Sequence, residues 1–205
     1  MNRMKVLFKR PSWDEIFMFQ AIGCATRHSC LKRSVGALLV KDKRIISTGY
    51  NGAAVGITSC LELGYCYYEN LAQKEEVING GNFLEIKERF KIYCHAVHAE
   101  ANALSQCSRT EAKGATLYLT NYPCPKCVQD SIITNEIAAV RIWKSYLENA
   151  ALTIDEKRAS EMKLLEAGIS VGYIFLSKKR IMEIAGYMAN SVGERTDYKF
   201  KGGEK

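Results

Sequence analysis

Hydrophobic and polar positions follow three rhythms along this chain. The run SWDEIFMFQAIGCATRHSC (12–30) opens on Ser12 with Glu15 three residues later, the arrangement of a capping box, and a helix is predicted to follow. Ile16, Phe19, Gly23 and Ala25 are positions on it available for close packing. VGALLV (35–40) and IISTGYNG (45–52) flank the polar KDKR and predict two strands of a hairpin, with Lys41, Asp42 and Lys43 at its tip. Residues 53–97 break the pattern. The pair Gly80-Gly81 divides them into a cysteine-rich first part and a charged, helix-like second part, FLEIKERFKIY, and the whole reads as an insertion.

Regularity returns at His98. HAEANALSQC predicts a short helix, ATLYLT (115–120) a strand, CPKCVQDSIITNE a helix and AAVRIWK (138–144) a strand. A helix over EKRASEMKLLEAG and a strand SVGYIFL (170–176) come next. Because a whole helix separates the last two strands, a parallel right-handed crossover is expected between them. KKRIMEIAGYMAN predicts a final helix, and the polar tail ending in GGEK is expected to carry no fixed structure. The predicted fold class is α/β, a three-layer α/β/α arrangement with a mixed sheet of about five strands.

Length and composition narrow this to one domain. With 205 residues, 47% of them hydrophobic, the chain can bury one good core. We take that core as about 12–176, with the insertion at about 53–97 and a C-terminal helix and tail over about 177–205. The basic first ten residues lead into no apolar run long enough for a signal peptide, and no window approaches a membrane span. A cytoplasmic protein without a membrane partner is therefore expected. Eight cysteines in such a setting favour metal ligation or reduced thiols over disulfides. The net charge of +7 suits an anionic ligand, a nucleotide or a nucleic acid.

The chemistry concentrates in two short runs, His98-Ala99-Glu100 and Pro123-Cys124-Pro125-Lys126-Cys127. Cys124 and Cys127 stand i and i+3 at a predicted helix start, where both sulfurs face one point and the helix N-terminus favours their negative charge. His98 and Glu100 open another helix, so one can ligate while the other reaches a bound water. A CxxC alone is more often a structural zinc half-site or a redox pair, and HxE alone carries almost no information. Together, H-x-E followed by P-C-x-x-C is the recognised mark of zinc deaminases. It assigns His98, Cys124 and Cys127 as ligands of a zinc with an open fourth position, and Glu100 as the catalytic proton carrier.

The runs SWDEIFM, CLKRSVGALLVKDKRIISTGYNG, HAEANAL and PCPKC resemble the deoxycytidylate deaminase family over about residues 12–176. Deaminases of tRNA adenosine share HAE and PCxxC but typically connect the second strand to the HAE helix by a short loop; here more than forty residues intervene. The resemblance implies a cytidine-deaminase-like fold and zinc-dependent hydrolysis of dCMP to dUMP and ammonia, supplying dUMP for thymidylate synthesis. It also implies that Asn51 contacts the sugar, Arg109 the 5′-phosphate and Tyr146 the nucleotide. An amide can donate to and accept from a hydroxyl, and a guanidinium fork fits phosphate. Read without the resemblance, Asn51 is a turn residue and Arg109 an ordinary surface arginine. The family further implies a homo-oligomer and possible control by dCTP and dTTP as effectors.

Many members of that family carry a second, structural zinc, and the resemblance maps its ligands to Cys30, Cys60, Cys66 and Cys94. Cys66 and Cys94 are each displaced by about one residue from the family spacing, and His95 is an alternative ligand for either. Such a four-ligand site would be closed to water and would pin the insertion. Cys24 and Cys107 lie in helical runs and read as small buried hydrophobes. His28 reads as a cap or cation near the end of the first helix. About residues 67–93 resemble nothing in the family, and their charged stretches read as a solvated amphipathic face. Two other readings compete. A deaminase acting on nucleic acid or on another nucleotide or nucleoside shares the zinc chemistry and suits the positive charge, but no interleaved basic and aromatic stripe for single strands is visible. A catalytically inactive zinc-stabilised binding protein linked to DNA uptake has no need of Glu100.

Overall fold

The computed structural model describes residues 9–144 and 152–192. Its first helix, α1 (Trp13–Ala25), is capped as expected: the Ser12 side chain accepts from the Glu15 amide and the Glu15 carboxylate accepts from the Ser12 amide. Strands β1 (Gly36–Lys41) and β2 (Arg44–Tyr50) form an antiparallel hairpin. Its turn falls on Asp42 and Lys43, both at positive φ (51° and 61°), the left-handed pair whose twist matches that of the flanking strands.

A further antiparallel pair, β3 (Gly52–Ala53) with β4 (Ala96–Val97), closes the two ends of the insertion against each other. Between them lie α2 (Cys60–Leu63), α3 (Tyr67–Asn79) and α4 (Phe83–Phe90). The expected break at Gly80-Gly81 is real, since both residues have positive φ and separate α3 from α4. The first half of the insertion is more helical than its cysteine content suggested, because Cys66 itself occupies the N-cap of α3.

Helix α5 (Ala99–Ser105), the short α6 (Arg109–Ala112) and strand β5 (Thr116–Leu119) follow. The next helix begins as α7 (Pro125–Cys127) and continues as a wider π-helical segment over Val128–Ile133. Strand β6 (Ala139–Trp143), α8 (Ile154–Glu166), β7 (Ser170–Ile174) and α9 (Lys178–Val192) complete the described elements. The main sheet has the order β2-β1-β5-β6-β7. β1 is antiparallel to β2 and β5, whereas β5-β6 and β6-β7 are parallel, so the mixed five-stranded sheet and its parallel end agree with the sequence pattern. The C-terminal tail lies outside the described residues.

Alternation in the strands assigns the two faces. Ala37 and Leu39 of β1 join Leu117, Leu119, Val140 and Ile142 in a core that also takes Ala99, Ala103 and Leu104 of α5, Val128 and Ile132, and Leu164 of α8. Leu38 and Val40 point the other way and pack with Phe17, Met18 and Ala21 of α1. Two glycines make the approach possible. A Cβ on Gly36 would overlap the Ala21 carbonyl, and one on Gly49 would overlap the Ala99 carbonyl and the Ala103 amide, so α1 and α5 rest directly on the sheet. α9 reaches α1 through Arg180, whose guanidinium donates to Glu15 at 2.9 Å. No helix among the described residues is long and apolar enough to cross a membrane.

Candidate metal centre and active site

His98 is the N-cap of α5 and Cys124 the N-cap of α7, so two helix N-termini converge on one point. The Cys124 sulfur accepts from the Cys127 amide at 3.4 Å, and Pro125 at the first helical position needs no partner for an N–H. His98 Nδ1 lies 3.2 Å from Cys127 Sγ and 3.6 Å from Cys124 Sγ. Tetrahedral zinc with ordinary Zn–S and Zn–N bonds places its ligand atoms about 3.5 Å apart, and the triplet fits that size. Among the described residues this is the one group of three or more His, Cys, Asp or Glu ligand atoms lying within 4.8 Å of one another. Three ligands leave the fourth corner of a tetrahedron to water or substrate.

Exposure is graded across the triplet, from exposed His98 to buried Cys127, which opens the centre to solvent on the imidazole side. Hydrogen bonding by the Cys127 thiol, then by the imidazole, brings the Cys124 thiol down to about 4, against desolvation. The Cys127 thiol goes up, because it gives its proton to that bond and is itself buried. The pair therefore holds a thiolate before any metal arrives. His98 is raised by its bond to Cys124. Glu100, the second residue of α5 and 4% exposed, is raised chiefly by desolvation. A buried carboxyl beside an open ligand position is equipped to take and return a proton.

The chain matches the family model for the cytidine and deoxycytidylate deaminase zinc-binding region over residues 11–144. It belongs to that family. The deoxycytidylate deaminase of Mycobacterium phage D29 is 40% identical over 118 residues, covering 58% of this chain and 84% of the relative. ComE operon protein 2 of Bacillus subtilis is 32% identical over 165 residues, covering 75% of this chain and 76% of the relative. A dCMP deaminase from the cyanophage S-TIM5, solved with dCMP and dUMP, superposes with a TM-score of 0.52 over 81% of this chain and 99% of that one. At 22% identity this is a likeness of fold.

Membership in the family accounts for the zinc triplet; the other expected site residues divide. Asn51 is 6% exposed and is no turn residue. Its Oδ1 accepts from the Val35 amide at 2.8 Å and its Nδ2 donates to the Arg33 carbonyl at 2.9 Å. One N–H and one lone pair of the amide remain for a ligand. Arg109 opens α6. It pairs with Glu136 at 2.9 Å beside Lys113, near the starts of β5 and β6, whereas Cys124 follows the end of β5. The length of that strand, about 13 Å, stands between the Arg109 and Cys124 ends of β5. Tyr146 lies outside the described residues.

Cys30, Cys60, Cys66 and Cys94 are near enough to influence one another, Cys60 with Cys66 and Cys94, and Cys94 with Cys30. They are not gathered as closely as the catalytic triplet. Each of three has the amide environment of a metal-bound thiolate: Cys30 Sγ accepts from the Lys32 amide at 3.5 Å, Cys66 from Glu69 and Cys94 from Ala96. Burial nevertheless raises Cys66 and Cys94. Neutral thiols do not attract, whereas the catalytic triplet contains its own imidazole-to-thiolate attraction. His95 stacks on Tyr67 at 4.0 Å and places Nδ1 2.8 Å from the Thr58 carbonyl, which leaves Nε2 free to ligate. Cys24 and Cys107 pack against the two cores as expected of small hydrophobes, and the His28 ring bonds the Cys30 carbonyl at 2.8 Å.

Sequence reasoning passed over Asn102 and Thr120. Asn102 Nδ2 donates to the Tyr50 carbonyl at 2.8 Å, and Thr120 Oγ1 accepts from the Gly36 amide at 2.9 Å, so the loops around the centre are tied to it from both sides. Their partners are distant in sequence, and no local signal marks them. Gly36 and Gly49, isolated glycines inside strand patterns, did carry a signal of close backbone approach.

Proposed function

We propose that this protein converts dCMP to dUMP and ammonia by zinc-dependent hydrolysis, supplying dUMP for thymidylate synthesis. The observation that carries the reading is the pairing of buried Glu100 with the His98, Cys124 and Cys127 triplet, in a chain whose relatives include a phage deoxycytidylate deaminase of 40% identity. Zinc in that triplet supplies Lewis acidity, which makes water nucleophilic near neutral pH. The Glu100 carboxylate takes the proton of the attacking water and delivers it to N3 of the cytosine. A C–O bond forms at C4; Glu100 then takes the proton of the new C4 hydroxyl and passes it to the exocyclic nitrogen, and the C4–N bond breaks as the C4 carbonyl forms, releasing ammonia.

Asn51 donates its remaining N–H to the sugar. For the phosphate this reading takes Arg33 in place of Arg109. Arg33 suits the role, because its charge already acts on His98 and on Glu156 of α8 and a guanidinium binds phosphate bidentately. Cys30, Cys60, Cys66 and Cys94, with His95 as substitute, draw together around a second zinc that fixes the insertion to a core of residues 12–176. We further place the enzyme in the cytoplasm as a homo-oligomer open to control by dCTP and dTTP. The test is ammonia release by zinc-loaded protein from dCMP, deoxycytidine, dCTP and a single-stranded oligonucleotide in parallel. Turnover confined to dCMP is expected; no turnover of dCMP overturns the reading.

A further inference from the structure

We propose that Glu69, on insertion helix α3, is a positioning residue that holds the loop of residues 29–35 at the edge of the active site. This rests on the dCMP deaminase reading for what the loop does, but not for how it is held. The Glu69 carboxylate pairs at once with Lys32 of that loop and with Lys87 of α4. All three side chains are partly shielded, at 21% to 32% exposure, where an ion pair is screened less than on an open surface. Tyr68, beside Glu69, adds its ring 5.4 Å from the Lys32 ammonium.

From Lys32 a continuous set of bonds leads to both sides of the metal centre. The Arg33 carbonyl and Val35 amide are held by the Asn51 side chain, and the Ser29 amide donates to the Asn51 carbonyl at 3.2 Å. Tyr50, next to Asn51, is bonded through its carbonyl to Asn102 of α5, the helix that carries Glu100. On the other side, Gly36 at the end of the loop exchanges bonds with Thr120, from which the chain runs directly into Cys124. The insertion has little apolar anchorage of its own: α3 buries Ala72 and α4 buries Ile86. Its ionic grip on Lys32 adds to the hydrogen bonds that Ala53 and Leu61 of the insertion make to Ser29 at the start of the loop, and it acts on the loop without touching any reacting group.

A control is built into the same helix pair. Glu75 of α3 pairs with Arg89 of α4 at 3.7 Å and makes no contact with the loop among the bonds described. Steady-state kinetics on dCMP should show KM raised about threefold, the scale of one partly exposed ion pair, in Glu69→Gln and in Lys32→Met. kcat and zinc content should be unchanged in both, and Glu75→Gln should match the parent. The double variant should be no worse than the worse single one. Amide hydrogen exchange at Ser29, Val35 and Asn51, read without substrate, should accelerate in Glu69→Gln and not in Glu75→Gln. Parental exchange and parental KM in both Glu69→Gln and Lys32→Met would overturn the proposal. If the parent protein fails to turn over dCMP, the functional reading falls, and hydrogen exchange alone decides whether Glu69 holds the loop.

Discussion

The catalytic centre and the insertion both place cysteines at helix starts under backbone amides, yet they are held together by different forces. Around the centre, sixteen buried residues among those described form one apolar cluster spanning the sheet, α5 and α8; α3 and α4 each bury one side chain and are tied down by Glu69 and ring contacts. In the centre, the His98 imidazole and the Cys124 thiolate already attract at 3.6 Å. In the insertion, the cysteines are neighbours without convergence. A site whose ligands attract one another on a packed scaffold is pre-formed, whereas a site of unconverged cysteines on a thinly anchored loop is completed by its metal.

The sharpest break of this contrast is ligand removal. Cys124→Ser should abolish turnover and remove the catalytic zinc with the fold retained. Cys60→Ser should leave turnover in place, lower total zinc by one equivalent and expose residues 64–93 to protease; zinc analysis and limited proteolysis check both. Glu100→Gln should lower kcat by about a hundredfold to ten-thousandfold with zinc content unchanged, and ammonia release measures it. Arg33→Leu should raise KM for dCMP by about tenfold or more, the scale of a lost charged hydrogen bond, whereas Arg109→Ala should leave KM in place.

Smaller effects sharpen the comparison on the side of the scaffold. Gly49→Ala forces a methyl into the α5 backbone and should cost about 1–3 kcal/mol, read from denaturant midpoints. The insertion should respond to acid instead. Burial would raise the Glu69 carboxyl, but hydrogen bonds from Lys32 and Lys87 outweigh it and hold the group below its ordinary value. Its stabilising contribution is therefore complete above the unfolded carboxylate range and lost as pH falls through the lower folded value. Protease cleavage of the insertion should rise over that acid window in the parent and show less pH dependence in Glu69→Gln.

Local chemistry was legible wherever a rule acts within a few residues. Ser12 and Glu15 announced α1, the spacing of Cys124 and Cys127 announced a shared ligand point, and the apolar run VGALLV before a polar turn announced β1 of a hairpin. The zinc triplet follows from such rules because each half is set by its own helix start. What the sequence left open depended on where chain-distant pieces meet. Arg109 has the right chemistry for phosphate, and only the fold shows that it pairs with Glu136 at the end of β5 away from Cys124. Asn51 reads locally as a turn, and it became a brace because Val35 and Arg33 pass alongside it. Glu69 stands between a tyrosine pair and Asn70 with no local signal of its role until folding sets it between Lys32 and Lys87. Residue type and spacing determined which reaction the chain can perform; tertiary packing decided which cations stand near it, because electrostatic and hydrogen-bond energies depend on distances that a linear pattern does not contain.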